Sequence, residues 1–288
     1  MTGDVIQVQG LSCDYWDEAV RIPALADVSV DIGCGGFVVV AGPNGAGKTT
    51  LLNCMSGVIP RFVPARLQGQ VLVNGRPVQQ YAIPELARTM GIVLQDAESQ
   101  LFGSVARRFL AFGLELMGFE RQEALARVEH AARLMGVLPL MDRNIQSLSG
   151  GEKQRLVVAS VLVLQPSIVL LDEPTSQLDP QGVRELVAAL KGLNRQIGLT
   201  VVMASHNLSE VCDAATHLLV LDRGSVRAYG EFRLVLGREM LQMVRYPQAA
   251  ELYHACKGDG LPVGAGCPLT VEEGTDFARS LLGAEEGA

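Results

Sequence analysis

Gly42-Pro43-Asn44-Gly45-Ala46-Gly47-Lys48-Thr49 fits the pattern G-x-x-x-x-G-K-[ST], which only a narrow set of folds can house. Its glycines let backbone N–H groups curl around phosphate oxygens, and the helix that follows turns its positive end toward the same anion. Such a loop needs a strand before it and a helix after it, which points to an α/β chain with a buried parallel sheet. The flanks agree: Phe37-Val38-Val39-Val40 reads as a strand, and a helix is predicted from Lys48. In this setting Lys48 reaches the β- and γ-phosphates of a nucleotide and the Thr49 hydroxyl binds Mg²⁺. Gly42, Pro43, Asn44, Gly45, Ala46, Gly47, Lys48, Thr49 and Thr50 are therefore the candidate nucleotide-binding residues.

The rest of the chain alternates in the same way. Ser167–Leu171 ends in acids, Thr200–Ala204 ends at Ser205-His206, and His217–Leu221 ends in the turn Asp222-Arg223-Gly224. Unbroken apolar runs of this length suit strands buried on both faces. Val183, Leu186, Val187, Leu190 and Leu193 recur at helical spacing, as do Leu125, Val128, Ala132 and Met135. No strong strand signal falls between about residue 97 and Ile168, so that stretch reads as a helical insertion. The expected division is an ATP-binding core over 1–96 and 166–229, a helical subdomain over 97–165, and a C-terminal extension over 230–288. The extension carries loop-like Gly258-Asp259-Gly260 and Gly264-Ala265-Gly266, then Thr270-Val271-Glu272-Glu273, a capping-box pattern that predicts a final helix.

Leu170-Leu171-Asp172-Glu173 places two carboxylates at the end of a buried strand, beside the phosphate loop of a parallel sheet. There Asp172 holds Mg²⁺ and Glu173 polarises the attacking water. Leu148-Ser149-Gly150-Gly151-Glu152 offers a second phosphate contact, with the Ser149 hydroxyl, nearby amides and a helix start near Glu152 all able to face an anion. One nucleotide does not easily fill both loops of a single chain. A head-to-tail dimer is the economical arrangement, each LSGGE closing on the partner's ATP.

Gly42–Thr49, Gln95, Leu148–Glu152, Asp172-Glu173, Ser176-Gln177-Leu178-Asp179 and His206 occur in the order found in ATP-binding cassette (ABC) ATPases, which this chain resembles over about residues 4 to 230. The resemblance implies a P-loop NTPase cassette with a RecA-like core sheet, an inserted helical subdomain, and ATP and Mg²⁺ as ligands. It makes Gln95 the loop glutamine that senses Mg²⁺ and water and links to the membrane partner. It makes His206 the switch that contacts the γ-phosphate and steadies Glu173, and it puts Asp179 in the loop crossing the dimer interface. Tyr15 matches the aromatic that stacks on adenine, although the neighbouring Trp16 offers a second ring. Gln177 departs from the small residue usual at its position and bears on contacts across the dimer.

Gly91–Phe102 further resembles the ATPases of energy-coupling-factor and cobalt/nickel importers, whose loop runs Q-[DN]-P-[DE]-x-Q-L-F and is followed by A-F-G-L-E. Here these read Gln95-Asp96-Ala97-Glu98-Ser99-Gln100-Leu101-Phe102 and Ala111-Phe112-Gly113-Leu114-Glu115, with Ala97 in place of proline. Leu101 and Phe102 either line a docking groove for a membrane partner or anchor the insertion's own core. The resemblance implies an importer ATPase that pairs with a second copy or a related ABC ATPase. It also implies an integral-membrane coupling protein, a substrate-capturing membrane protein, and a vitamin or a cobalt or nickel ion as cargo. The expected location is the cytoplasmic face of the cell membrane. Two other readings stay open, another ABC importer or exporter subunit and a soluble ABC ATPase acting on nucleic acid or ribosomes.

Composition bears on the last of these. The 24 basic and 31 acidic side chains leave a formal charge of −7, which argues against a general nucleic-acid binder. Apolar residues make up 48% of the 288, enough for a sizeable core. No apolar run approaches the roughly 20 residues that span a bilayer, and Met1–Gln7 lacks the features of a secretory signal. Cys13, Cys34, Cys54, Cys212, Cys256 and Cys267 show no C-x-x-C spacing and are expected to be buried thiols.

Overall fold

In a computed structural model, residues 3–17, 20–236, 244–245, 247–261, 263 and 266–285 are described. The strands are β1 (Asp4–Asp17), β2 (Val20–Gly33), β3 (Phe37–Ala41), β4 (Arg66–Val73), β5 (Arg76–Pro77), β6 (Met90–Val93), β7 (Ile168–Asp172), β8 (Thr200–Ala204), β9 (His217–Asp222) and β10 (Ser225–Glu231). They form a six-stranded sheet ordered β10-β9-β3-β8-β7-β6 and a four-stranded sheet ordered β2-β1-β4-β5. In the larger sheet β9, β3, β8, β7 and β6 are parallel and β10 runs antiparallel on the edge.

Because side chains alternate across a strand, the apolar runs serve two cores at once. Val38, Val40, Ile168, Leu170, Val202 and Ala204 face the antiparallel sheet and the helix Lys48–Met55. Phe37, Val39, Ala41, Val169, Leu171, Val201 and Met203 face the helical insertion and the helix Pro180–Ile197. All five spaced residues of that helix are buried. A side chain of this size contributes about 1.5–3 kcal/mol when buried, so replacing a central valine such as Val39 with a polar residue disrupts the layer.

The insertion consists mainly of helices Ala106–Leu116, Arg121–Leu134 and Gly150–Leu162. Val128, Ala132 and Met135 are buried, but Leu125 is exposed, contrary to the stripe expected of it; the small residues Ala124 and Ala131 complete the buried face. Alanines let this helix approach its neighbours closely, and Leu125 falls on the far side. Leu101 packs against the core whereas Phe102 stays exposed. Leu101 thus anchors the insertion's own core, and the exposed Phe102 ring rests against the buried Phe109.

The antiparallel sheet has no counterpart in the strands expected from sequence. Ile6, Val8, Leu11 and Cys13 are buried on β1, and Val28, Val30 and Ile32 on β2. Their alternation slips by one residue at a register shift between Val8 and Leu11, where Gly10 has φ 57°. In the C-terminal region, helices Gln248–Gly258 and Val271–Glu285 pack together. Gly258 closes the first helix rather than lying in a loop, and Gly264 and Ala265 lie outside the described residues. The Thr270 hydroxyl accepts from the Glu273 N–H at 3.2 Å, while the Glu273 carboxylate turns to the Leu269 N–H and to Arg233. All six cysteines are free thiols; five are buried, but Cys34 is exposed in the turn before β3, where no core reaches it. Among the described residues no helix is long and apolar enough to cross a membrane.

Candidate functional site

Four neighbouring strands end at one edge of the larger sheet, and the predicted residues follow their ends. Register fixes the alignment: Asp172 at the end of β7 lies opposite Ala204 of β8, and Ala204 lies opposite Val40 of β3. The phosphate loop leaves β3, Asp172-Glu173 ends β7, His206 follows β8 and Gln95 follows β6. A cleft of about 700 Å³ opens at this edge, lined by Asn44, Gly45, Ala46, Gly47, Lys48, Thr49, Thr50, Gln95, Glu173 and His206 from the larger sheet. Tyr15 lines it from β1.

Two glycines of the loop are required by their surroundings. At Gly42, with φ 149°, an added Cβ would lie 2.2 Å from the Leu221 carbonyl. At Gly47, with φ 102°, it would lie 2.7 Å from the Ala24 carbonyl and 2.8 Å from a Leu25 methyl. No side chain fits either place. The helix Lys48–Met55 starts at Gly47 without a side-chain cap, so its first N–H groups remain available to an anion. The buried Lys48 ammonium donates to the Gly42 and Pro43 carbonyls at 3.0 and 3.2 Å and lies 3.9 Å from Glu173 Oε1.

Glu173 adopts φ 46°, unusual for a non-glycine residue. Its N–H donates to the Ala204 carbonyl at 3.1 Å, and its own carbonyl accepts from the Ser176 N–H at 3.2 Å. This tight turn directs the carboxylate into the cleft, where Oε2 lies 3.2 Å from His206 Nδ1. Asp172 sits behind it, 2% exposed, with both carboxylate oxygens lacking a hydrogen-bond partner. Burial raises its pKa and the Glu173 charge adds to the rise, while Thr49 and Lys48 oppose it. The Thr49 hydroxyl is near enough to matter electrostatically without reaching hydrogen-bond geometry. An unpartnered buried carboxylate near a hydroxyl, behind a cleft that the Gln95 amide also lines, is a donor set suited to Mg²⁺, a hard cation that takes oxygen ligands.

At the mouth, Tyr15 pairs across the strands with Ile22, and both side chains line the cleft. The Tyr15 hydroxyl lies 3.2 Å from Thr50 Oγ1. Trp16 pairs with Arg21 and is 54% exposed, and it does not line the cleft. Of the two rings, only that of Tyr15 lines the cleft. Sequence reading missed Ile22, Pro23, Ala24 and Arg245, all of which line the same cleft. The first three would have followed from the cross-strand register of β1 and β2; Arg245 carries no local signal.

Ser149, Gly151 and Asp179 do not line this cleft. Ser149 caps the helix Gly150–Leu162 in a complete capping box: its hydroxyl accepts from the Glu152 N–H at 3.3 Å, and its N–H donates to Glu152 Oε2 at 2.7 Å. The Ser149 N–H, its hydroxyl and Arg143 hold the Glu152 carboxyl below the ordinary carboxylate range. Asp179 caps the helix Pro180–Ile197, accepting from the Gly182 N–H at 2.7 Å. A Cβ added at Gly151 would lie 3.2 Å from a Leu178 methyl, and one at Gly150 would lie 3.9 Å from Gln177 Oε1. The LSGGE loop and the segment Gln177-Leu178 therefore pack together at a separate place on the chain.

The stretch after Gln95 is tied down at several points. Asp96 caps the short helix Ala97–Gln100, Gln100 Oε1 accepts from the Leu94 N–H at 2.8 Å, and Glu98 pairs with Lys153 of the LSGGE helix at 2.7 Å. The exposed Phe102 ring meets Phe109 and Phe112 edge-on, with centroids 5.1 and 4.7 Å apart.

Comparison with known proteins places these features in context. Residues 25–176 match the family described as ABC transporter. An energy-coupling factor transporter ATP-binding protein, EcfA, of Methanoculleus marisnigri is 36% identical over 78% of this chain and 81% of its own. The corresponding EcfA1 of Methanospirillum hungatei is 32% identical over 91% and 93%. A relative in Methanosarcina mazei is 39% identical over 83% of this chain, which spans only 40% of that protein's length. Among solved structures, cbiO1 of Clostridium perfringens, part of the ABC transporter complex cbiONQ, superposes with a TM-score of 0.70 at 29% identity, covering 80% of this chain and 89% of its own. A dimeric bacterial ABC transporter cassette shares the fold with the same TM-score at 24% identity, covering 79% and 99%.

Proposed function

This chain belongs to the ABC transporter family and is an ABC ATPase, and from that premise we propose that it powers an importer of the energy-coupling-factor type. The cargo is a vitamin or a cobalt or nickel ion, taken up through an integral-membrane coupling protein and a substrate-capturing membrane protein. The chain works at the cytoplasmic face of the membrane. The observation that carries the subtype is the segment Gln95–Phe102, whose glutamine lines the nucleotide cleft while its terminal phenylalanine presents an exposed ring in contact with the exposed Phe112 and the buried Phe109. One short, well-anchored segment thus connects the nucleotide to an apolar surface suited to a partner's helix. The two EcfA relatives support the same reading.

In the proposed reaction a water attacks the γ-phosphorus of ATP. A new P–O bond forms, the bond to the β-phosphate oxygen breaks, and the water's proton passes to the Glu173 carboxylate. His206 holds that carboxylate in place through its Nδ1 contact and reaches the γ-phosphate by movement of its loop. Lys48 and the amides of Gly45 to Thr49 bind the β- and γ-phosphates, and Tyr15 receives the adenine. Thr49, Asp172 and Gln95 would hold Mg²⁺, which when bound neutralises charge on the phosphate oxygens. Ser149, Gly151 and Asp179 act on the nucleotide of a second cassette, either another copy or a related ABC ATPase.

Mass spectrometry of the proteins that co-purify with this chain from gently solubilised membranes tests the subtype. Recovery of a coupling membrane protein with a small multi-helix partner supports it. A two-domain permease, or no membrane protein, overturns the subtype and leaves the ATPase chemistry in place.

A further inference from the structure

We propose that Arg245, from the C-terminal region, is a phosphate-binding residue of the nucleotide cleft, so that this region forms part of the ATP site. The inference rests on the ATPase reading above and extends it to a residue that lies 39 positions beyond the switch histidine in the chain (245 − 206).

Three observations converge on it. First, Arg245 lines the same cleft as Lys48, Glu173 and His206. Second, its backbone is paired with the switch loop in a parallel bridge to Asn207: the Arg245 N–H donates to the His206 carbonyl at 3.4 Å, and its carbonyl accepts from the Leu208 N–H at 3.0 Å. Third, it is gripped on either side, since Val244 is buried in the main core and Pro247, which is buried too, leads into the helix Gln248–Gly258. The side chain itself is exposed, and no acidic partner holds its guanidinium among the described residues.

The backbone of Arg245 is held on both sides, and its cation stands at the edge of the cleft that the phosphate loop lines, with no acidic partner among the described residues. Guanidinium forms strong, charge-assisted bonds to phosphate oxygens. Lys48 approaches the phosphates from inside the loop, and Arg245 would close on them from the switch side. Its peptide pairing with residues 206–208 means that gripping the phosphates also fixes the strand end that carries His206. Nucleotide occupancy and the position of the C-terminal region are then linked, and by reciprocity each stabilises the other.

The test uses the full chain in the Glu173→Gln background, which keeps the nucleotide intact, with calorimetric affinities measured for ATP and for AMP. We expect Arg245→Gln to weaken ATP binding about ten-fold and to leave AMP binding unchanged, Arg245→Lys to recover most of the loss, and Arg245→Glu to exceed it. The melting temperature without nucleotide should stay the same for all three variants, since the side chain has no hydrogen-bond or ion-pair partner among the described residues. Equal ATP affinity in the Arg245→Gln variant and its parent overturns this inference alone. Failure of the parent itself to bind ATP overturns the ATPase reading together with it, and equal weakening of ATP and AMP assigns Arg245 to loop folding instead.

Discussion

The loop Gly42–Thr49 and the loop Leu148–Glu152 both open onto the N-terminus of a helix, yet they treat its free N–H groups in opposite ways. At the first, Gly47 provides no side-chain cap, and the donors stay free for a ligand. At the second, Ser149 and Glu152 satisfy each other's N–H groups in a complete capping box. The first loop is also sealed by carbonyls from Ala24 and Leu221 that leave no room for a side chain. At the second, the glycines meet only ordinary or slightly tight contacts with Gln177 and Leu178. A site that binds its ligand unaided keeps its donors unsatisfied at a cost in stability. On the proposal that the second loop meets its ligand only when another cassette closes over it, it must be stable while it waits, and a self-capped helix provides that.

The comparison is broken most sharply by removing the chemistry from the first loop's cleft. Glu173→Gln should lower the steady-state release of phosphate by about 10²–10⁴-fold with ATP binding retained; turnover at the parent rate would remove Glu173 as the base. Next in size, Gly47→Val should abolish measurable ATP binding, because its Cβ meets the Ala24 carbonyl at 2.7 Å. The matching change at the second loop, Gly151→Val, should leave ATP binding by the single chain unaltered and suppress turnover, as seen by comparing calorimetry with phosphate release. A finer separation comes from the cap. Ser149→Ala should cost about 1 kcal/mol of stability in denaturant titration. Ser149→Asp preserves the cap, leaving stability within about 0.5 kcal/mol, but sets a carboxylate where another cassette's phosphate would come, and turnover should fall about ten-fold. If both variants turned over ATP normally, the second loop would have no part in the reaction.

The smallest expected effect lies outside both loops. Arg233, followed by the Leu269 N–H, holds the Glu273 carboxyl at about 2, below its ordinary 4.5. The ionised form is the favoured one in the folded chain, so this contribution is complete above about pH 4.5 and disappears as the pH falls toward 2. Both side chains are more than a third exposed, and solvent screening keeps the effect small. Thermal melts of the parent and Glu273→Gln should differ near neutrality and converge in acid, a divergence growing toward low pH being the contrary result.

Much of the cleft was legible because its residues sit at the ends of unbroken apolar strands, a signal that survives without tertiary information. Asp172, Glu173 and His206 are examples, each fixed by the run of β7 or β8 that precedes it. The antiparallel sheet was not legible because the bulge at Gly10 inverts the alternation midway, so that neither half reads as a long strand. Leu125 misled because a helical stripe made of alanines looks weaker than one leucine on the opposite face. Arg245 could not be found from sequence at all, since its place depends on one isolated bridge between distant segments.

The tight seal around Gly42 and Gly47 has a bearing on how the chain is assembled. The carbonyl over Gly42 belongs to β9 of the larger sheet, and the one over Gly47 belongs to β2 of the smaller. The cradle is therefore a joint between two sheets and exists only once they have docked. A precursor in which either sheet stands alone would lack one wall of that cradle. By mass action the nucleotide then favours the finished chain over every earlier species, by RT ln(1 + [L]/Kd). In a cell rich in ATP, the substrate would serve as the final inspector of its own enzyme's maturation.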